Sequence, residues 1–274
     1  MKGITKSLGQ KNNLDKFYTK PEIAQFCLNH LDITKYDNII EPSAGNGSFL
    51  KLLPANAIGY DIAPEGEKII KADFLKLTFD LKGSTLVIGN PPFGVQNNLA
   101  IDFFNKSAQF ATTIAFIVPR SFRKISIQNR LNLNFKLVSD IDLPEKSFTL
   151  LGTEYNLPTC FQIWERQPIP RLIIKPKMSS KYIIFTKDIE IADFRIQRVG
   201  GQAGKAFLDK NGAVSSNYYI INKSKYSTEQ LIQIINNICF PTISDTVGPK
   251  SLPKGELCEE LDLAIESVER ERKI

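Results

Sequence analysis

Thr113-Ile-Ala-Phe-Ile-Val118 is apolar at every position after its threonine and stops at Pro119. A strand with one wet face alternates polar and apolar residues, so an unbroken apolar run requires cover on both faces. Asn38-Ile-Ile-Glu41 and Thr85-Leu-Val-Ile-Gly89 have the same character, and residues 57–60, 136–143 and 159–164 extend the set. Residues 22–31 and 98–108 carry apolar side chains at helical spacing, with Pro21 suited to a first helical turn. Strands alternating with helices over the first 165 residues predict an α/β fold, a mainly parallel doubly wound sheet with helices on both faces. The proline-rich stretch 167–176 changes the composition and predicts a boundary, giving a domain of residues 1–166 and a smaller module of residues 167–274. Within the module, 182–185 and 217–222 read as strands, 199–205 as a flexible glycine loop, and 256–272 as an amphipathic helix packing on the body.

The chemistry-bearing residues fall at strand ends. Glu41 is followed by Pro42-Ser43-Ala44-Gly45-Asn46-Gly47, two glycines in a tight turn before an expected helix, where a backbone can approach a ligand closely. The spacing lacks the third glycine of a dinucleotide fingerprint and the Gly-Lys-Ser/Thr of a phosphate loop. A carboxylate at Glu41 would repel phosphate and attract an ammonium or sulfonium group. Asp61, with Ile62 beside it, closes the second strand, where such folds bind ribose hydroxyls. Asp73-Phe74 offers an acceptor next to an aromatic face, suited to a purine amino group and ring. Asn90-Pro91-Pro92-Phe93 closes the Thr85–Gly89 run. It sets a side-chain carbonyl, a main-chain carbonyl and a ring on a stiff turn that suits an exocyclic amine on a flat base.

These segments, with Phe17-Tyr18-Thr19-Lys20-Pro21 ahead of them and Gly94 after them, stand in one order over about residues 15–165. That order resembles the gamma class of DNA adenine-N6 methyltransferases of type II restriction–modification systems. The resemblance implies a class I methyltransferase fold with one antiparallel strand, S-adenosylmethionine as cofactor and DNA as partner. It assigns Tyr18 and Thr19 to the methionine end of the cofactor, Pro42, Ser43, Gly45 and Gly47 to close backbone contact, and Glu41 to the methionine amino group or to bracing the loop. Asp61 and Ile62 take the ribose side, and Asp73 and Phe74 the adenine. Asn90, Pro91, Pro92 and Phe93 form the catalytic turn, and Phe148 is expected to lie over a flipped base. Flipping costs a few kcal/mol, and stacking on Phe93 returns ~1–3 kcal/mol. In the module, Arg195, Arg198 and Lys205 are the expected DNA contacts. RNA adenine, cytosine N4, protein glutamine and an inactive nucleic-acid-binding subunit are the alternatives. A serine in place of Asn90 is the commoner cytosine pattern, and only about forty residues precede the glycine turn where glutamine enzymes carry a helical module.

The charge distribution agrees with a polyanionic partner. The chain carries a formal +6, and residues 167–255 hold 13 Lys/Arg against 6 Asp/Glu, while residues 256–274 hold 3 against 7. Cys27, Cys160, Cys239 and Cys258 form no Cys-x-x-Cys pair and His30 is the sole histidine, so neither a zinc site nor a histidine-based triad is expected. Cys160 follows Pro158-Thr159 rather than a proline, which disfavours covalent attack on cytosine carbon. With no long apolar run and no signal-peptide core, the expected location is cytoplasmic.

Overall fold

The computed structural model describes residues 17–271 except 151 and 247. They divide into two compact units, one formed by the chain through Phe122 with Ser126–Ile173, the other by Arg123–Ile125 with the chain from Ile174.

The first unit contains β1 (Tyr18–Thr19), α1 (Pro21–Leu28), β2 (Asn38–Glu41), β3 (Ile58–Asp61), β4 (Ile69–Lys71), β5 (Thr85–Gly89), α2 (Asn98–Ser107), β6 (Thr113–Pro119), β7 (Phe135–Asp142), β8 (Phe148–Leu150), β9 (Thr153–Tyr155) and β10 (Thr159–Arg166). Seven strands make one sheet in the order β4-β3-β2-β5-β6-β10-β7. The pairs from β4 through β6 are parallel, and β10 runs antiparallel to both β6 and β7. This is a mainly parallel, Rossmann-like sheet, with its single reversed strand inserted beside β6.

The unbroken apolar runs are explained residue by residue. Ile114, Phe116 and Val118 of β6 join one core cluster, with Phe74, Phe104 and Trp164. Ala115 and Ile117 join another, with Cys27, Phe49 and Phe161. Successive side chains of a strand point to opposite faces, so both faces of β6 are packed.

Two expected helices are shorter in the structure. α1 ends at Leu28, and Asn29 and His30 form an exposed turn, the His30 amide donating to the Cys27 carbonyl. The helix expected after the glycine turn is a single 3₁₀ turn, Leu50–Leu52. Pro54 accounts for it: the residue before a proline is pushed out of the helical region, and Leu53 has φ −85° and ψ 159°. β1 and β8, with β9, form a separate three-stranded sheet, in which Thr19 lies opposite Phe148.

The second unit contains β11 (Ile183–Thr186), β12 (Phe194–Gln197), β13 (Ala206–Phe207), β14 (Asn217–Asn222), α3 (Thr228–Asn237) and α4 (Lys254–Glu271), with a sheet in the order β11-β14-β12-β13. Ser227 and Gln230 form a reciprocal capping box at the start of α3. On α4, Leu257, Leu261 and Ile265 are fully buried at four-residue spacing, whereas Leu263, off that stripe, is 53% exposed. The loop expected to be flexible is an ordered turn between β12 and β13. Gly204 donates to the Gln197 carbonyl at 2.7 Å, Ala203 to Gly200 at 3.0 Å, and Gly200 to Lys250 at 2.9 Å. No described helix is long and apolar enough to cross a membrane, and no group of three metal-ligating side chains occurs among the described residues.

Candidate active site

The carboxyl ends of β2, β3, β4 and β5 and the short strand β1 enclose a cavity of about 310 Å³. Crevices at the carboxyl ends of parallel strands are where open α/β sheets bind ligands. Of the residues expected to bind a cofactor, Tyr18, Thr19, Glu41, Pro42, Ser43, Gly45, Asp61, Ile62, Asp73 and Phe74 border it. Asn90 and Pro92 of the catalytic turn border it too.

The turn after β2 is held by carboxylates. Asp61 accepts from the Gly45 amide through Oδ2 and from the Ala63 amide through Oδ1, each at 2.8 Å. One side chain thus sets both the glycine turn and the exit of β3. Gly45 has φ +53°, and an added Cβ would lie 3.2 Å from the Tyr18 ring. Tyr18 in turn donates its hydroxyl to Glu65; burial, that bond and the carboxylates of Glu65 and Asp61 push its phenol far above the ordinary range. Gly47, φ +79°, shapes the turn but does not border the cavity. Ser48 Oγ lies 2.6 Å from the Thr19 carbonyl and 2.8 Å from Asn46 Oδ1, tying β1 to the same turn.

Glu41 is 2% exposed, and its Oε2 accepts from the Leu50 amide at 2.9 Å. Burial is the main cause that pushes its carboxyl up to about 8, against the lowering effect of the Leu50 hydrogen bond. β5 ends beside it at Gly89, whose φ of +154° favours glycine and where an added Cβ would stand a tight 3.3 Å from Glu41 Cγ.

Asn90 follows directly. Its side-chain amide donates from Nδ2 to the Phe17 carbonyl at 3.3 Å, and its backbone carbonyl accepts from Ser43 Oγ at 3.1 Å. The bond to Phe17 sets the orientation of the amide, leaving Oδ1 as an acceptor that is shielded from solvent and has no partner. A buried acceptor without a donor costs roughly 1–3 kcal/mol, which an entering N–H group relieves.

Other expected site residues sit differently. Pro91 is buried and does not border the cavity. Phe93 is half-buried and packs against the core cluster that holds Phe103 and Phe104. Phe74 is 2% exposed and stacks on Phe103 with centroids 5.5 Å apart, reaching the cavity as part of its apolar wall. Asp73 caps the next turn through the Leu75 amide and pairs with Lys76 at 3.1 Å. Phe148 has no exposed surface; it packs with Phe161 and Ile117, and its backbone registers β1. It presents no face to a base in this conformation.

In the second unit, Arg195 is committed internally. It grips Asp209 through Nε and Nη2, each at 3.1 Å, donates to Asn217 Oδ1 and lies 4.3 Å from the Phe207 ring centroid. Lys205 donates to the Asn236 carbonyl at 2.9 Å. Arg198 is exposed, over the Tyr218 ring at 5.4 Å. Arg195→Ala is therefore expected to lower the melting temperature, whereas Arg198→Ala leaves it in place. Only the latter would flatten the salt dependence of nucleic-acid binding by about one phosphate contact. An unchanged salt slope in Arg198→Ala would remove that side chain from the interface.

Sequence reasoning missed Phe17, whose carbonyl orients Asn90, and Leu99 and Phe103 of α2, which line the cavity. Phe17 adjoins Tyr18 in the sequence, but its task is done by a backbone oxygen that any residue could supply.

No family model matches the chain. It is similar to an rRNA adenine N-6-methyltransferase of Staphylococcus aureus, 26% identical over 253 residues that cover 84% of this chain and 98% of the relative. Among solved structures, a Pyrococcus horikoshii protein provisionally named an RNA methyltransferase matches 58% of this chain and 90% of its own, with TM-score 0.44 and 15% identity. The M protein of the type I restriction enzyme EcoKI matches 95% of this chain and 72% of its own, with TM-score 0.39 and 13% identity.

Proposed function

We propose that this chain, a methyltransferase, transfers the methyl group of S-adenosylmethionine to the N6 amino group of adenine in DNA. The observation that carries the reading is the partnerless, solvent-shielded Oδ1 of Asn90, oriented by Phe17 at the rim of the cavity. When bound, S-adenosylmethionine supplies an electrophilic sulfonium methyl. The cavity fits it: carboxylates from Glu41, Asp61 and Asp73 border it, and among the described residues no Lys, Arg or His does. In this reading Asp61 takes the ribose hydroxyls, Asp73 the purine amino group, Ile62 and Phe74 its faces, and Glu41 with Thr19 the amino-acid end; all six border the cavity.

Adenine N6 is a weak nucleophile because its lone pair delocalises into the ring. Asn90 Oδ1 accepts a hydrogen bond from one N6–H and, once the base is seated beside the turn, the Pro91 carbonyl accepts one from the other, drawing the nitrogen out of plane and localising the lone pair. Phe93 offers the stacking face for the extruded base once it turns from its packing on the core. No strong base is needed, since methylation makes the N6 proton acidic and solvent can take it. The exposed Arg198 and the basic excess of the second unit support a phosphate-bearing partner. Monomer or dimer, the enzyme needs no metal in this scheme.

RNA is the second reading, favoured by the rRNA methyltransferase of S. aureus, which this chain matches almost throughout that relative's length. The test is labelled S-adenosylmethionine with unmethylated bacterial genomic DNA and, separately, total RNA, followed by nucleoside mass spectrometry. N6-methyladenine in the DNA alone supports the first reading. A mark in RNA alone replaces the substrate and keeps the chemistry, and a mark in neither overturns both.

A further inference from the structure

Glu41 is a carboxyl group almost wholly removed from water at the wall of a cavity that, among the described residues, no cationic side chain lines. Its neighbours are the Leu50 and Phe49 amides, which favour its anion, and the Asp61 carboxylate on β3, which opposes it. Across the same cavity stand Asp73 and the Tyr18 phenol, the latter engaged with Glu65. On β5 the Gly89 backbone stands next to Glu41, with nothing to ionise. A second carboxylate close by and no counter-charge make a buried anion costly, and the group answers by holding its proton. A ligand that brings an ammonium group into the cavity reverses that balance.

We infer that cofactor binding is coupled to proton release from Glu41, which enters the bound state as the carboxylate partner of the cofactor's ammonium group. This rests on the cofactor reading above. In the step, the carboxyl O–H bond breaks, the proton passes to solvent, and a carboxylate–ammonium pair replaces the neutral acid. No electron is transferred and no co-reactant is required. The buried carboxyl, pushed up to about 8, is still mainly protonated near pH 7 in the free protein. Affinity for the cofactor should therefore rise with pH through neutrality, as the Glu41 carboxyl loses its proton.

The same shift has a signed consequence for the free protein. Between the ordinary carboxyl value of 4.5 and about 8 the folded state binds more protons than the unfolded state, so stability contributed at Glu41 falls as pH rises through that window. Glu41→Gln keeps an oxygen acceptor for the Leu50 amide and removes the titration, so its melting temperature should lose this decline.

The deciding experiment is calorimetric titration of the whole protein near pH 7 in two buffers of different ionisation enthalpy. The probes are S-adenosylhomocysteine, which carries the amino-acid end, and methylthioadenosine, which lacks it. The expected result is release of about 0.9 proton per S-adenosylhomocysteine bound, from a carboxyl at about 8, and almost none with methylthioadenosine. Glu41→Gln should release none with either and bind S-adenosylhomocysteine roughly tenfold or more weakly. Proton-neutral binding of S-adenosylhomocysteine overturns the coupling, as does an equal release in Glu41→Gln. The comparison of the two ligands uses the unaltered protein, so a poorly folding variant does not remove the test. Proton release with no methyl mark on DNA or RNA sinks the substrate reading alone, whereas adenine methylation with proton-neutral binding sinks this inference alone. Failure of S-adenosylhomocysteine to bind overturns both.

Discussion

Asn90→Ala is expected to reduce methyl transfer by a factor on the order of 10²–10³ or more, while the dissociation constant for S-adenosylhomocysteine stays nearly unchanged. The substitution removes Oδ1, the acceptor shielded from solvent with no partner in the free protein, and with it the group assigned to accept a hydrogen bond from adenine N6. It also removes the Nδ2 bond to the Phe17 carbonyl, so β1 could loosen. Asn90→Asp separates the two effects: it retains an oxygen acceptor but confronts the Phe17 carbonyl with a second acceptor, and its fold is checked by melting. Single-turnover methylation and cofactor titration on the same preparations decide the matter. An equal loss of rate and cofactor affinity in Asn90→Ala would withdraw the catalytic assignment and leave Asn90 as a brace.

For Asp61→Ala the expected outcome is the converse, a cofactor dissociation constant raised on the order of 10²-fold with little change in affinity for nucleic acid. Both carboxylate oxygens already accept backbone amides, from Gly45 and Ala63. Each oxygen still has a lone pair for a ribose hydroxyl, so one residue would shape the turn and read the sugar. A cycle distinguishes these tasks. Removing the ribose hydroxyls from S-adenosylhomocysteine should weaken binding to the unaltered protein and make little further difference to Asp61→Ala. Additive losses would mean that Asp61 acts only through the turn, and an unchanged dissociation constant would rule out both.

Glu41 and Phe148 show where sequence reasoning divides. Both stand beside strand ends, and the resemblance gave both a ligand-facing role. Glu41 does border the cavity, because β2 ends there and Gly89 lets β5 approach it. Phe148 is packed away among Ile117 and Phe161, where it holds the strand opposite Thr19. An isolated phenylalanine carries no mark that separates a stacking platform from a core residue, since both are large and apolar. Arg195 makes the same point with charge. Its sequence position suggested a phosphate contact, yet Asp209, Asn217 and Phe207 occupy its guanidinium.

What the sequence determined by itself is what depends on local repetition and local stereochemistry. Apolar residues at successive positions demanded a sheet covered on both faces, and the structure places neighbours on β6 in opposite core clusters. Pro119 and the glycines at 45 and 89 marked where strands stop and chains turn, since φ limits and the missing Cβ act within a residue or two. The same locality, overlooked at Leu53-Pro54, turned an expected helix into a 3₁₀ turn. Tertiary structure alone decided which carbonyl orients Asn90, which cation is already paired, and that three carboxylates border one cavity that no Lys, Arg or His among the described residues lines. Those facts depend on groups distant in the chain and adjacent in space, and hydrogen bonding and desolvation act only over the few ångströms that folding closes.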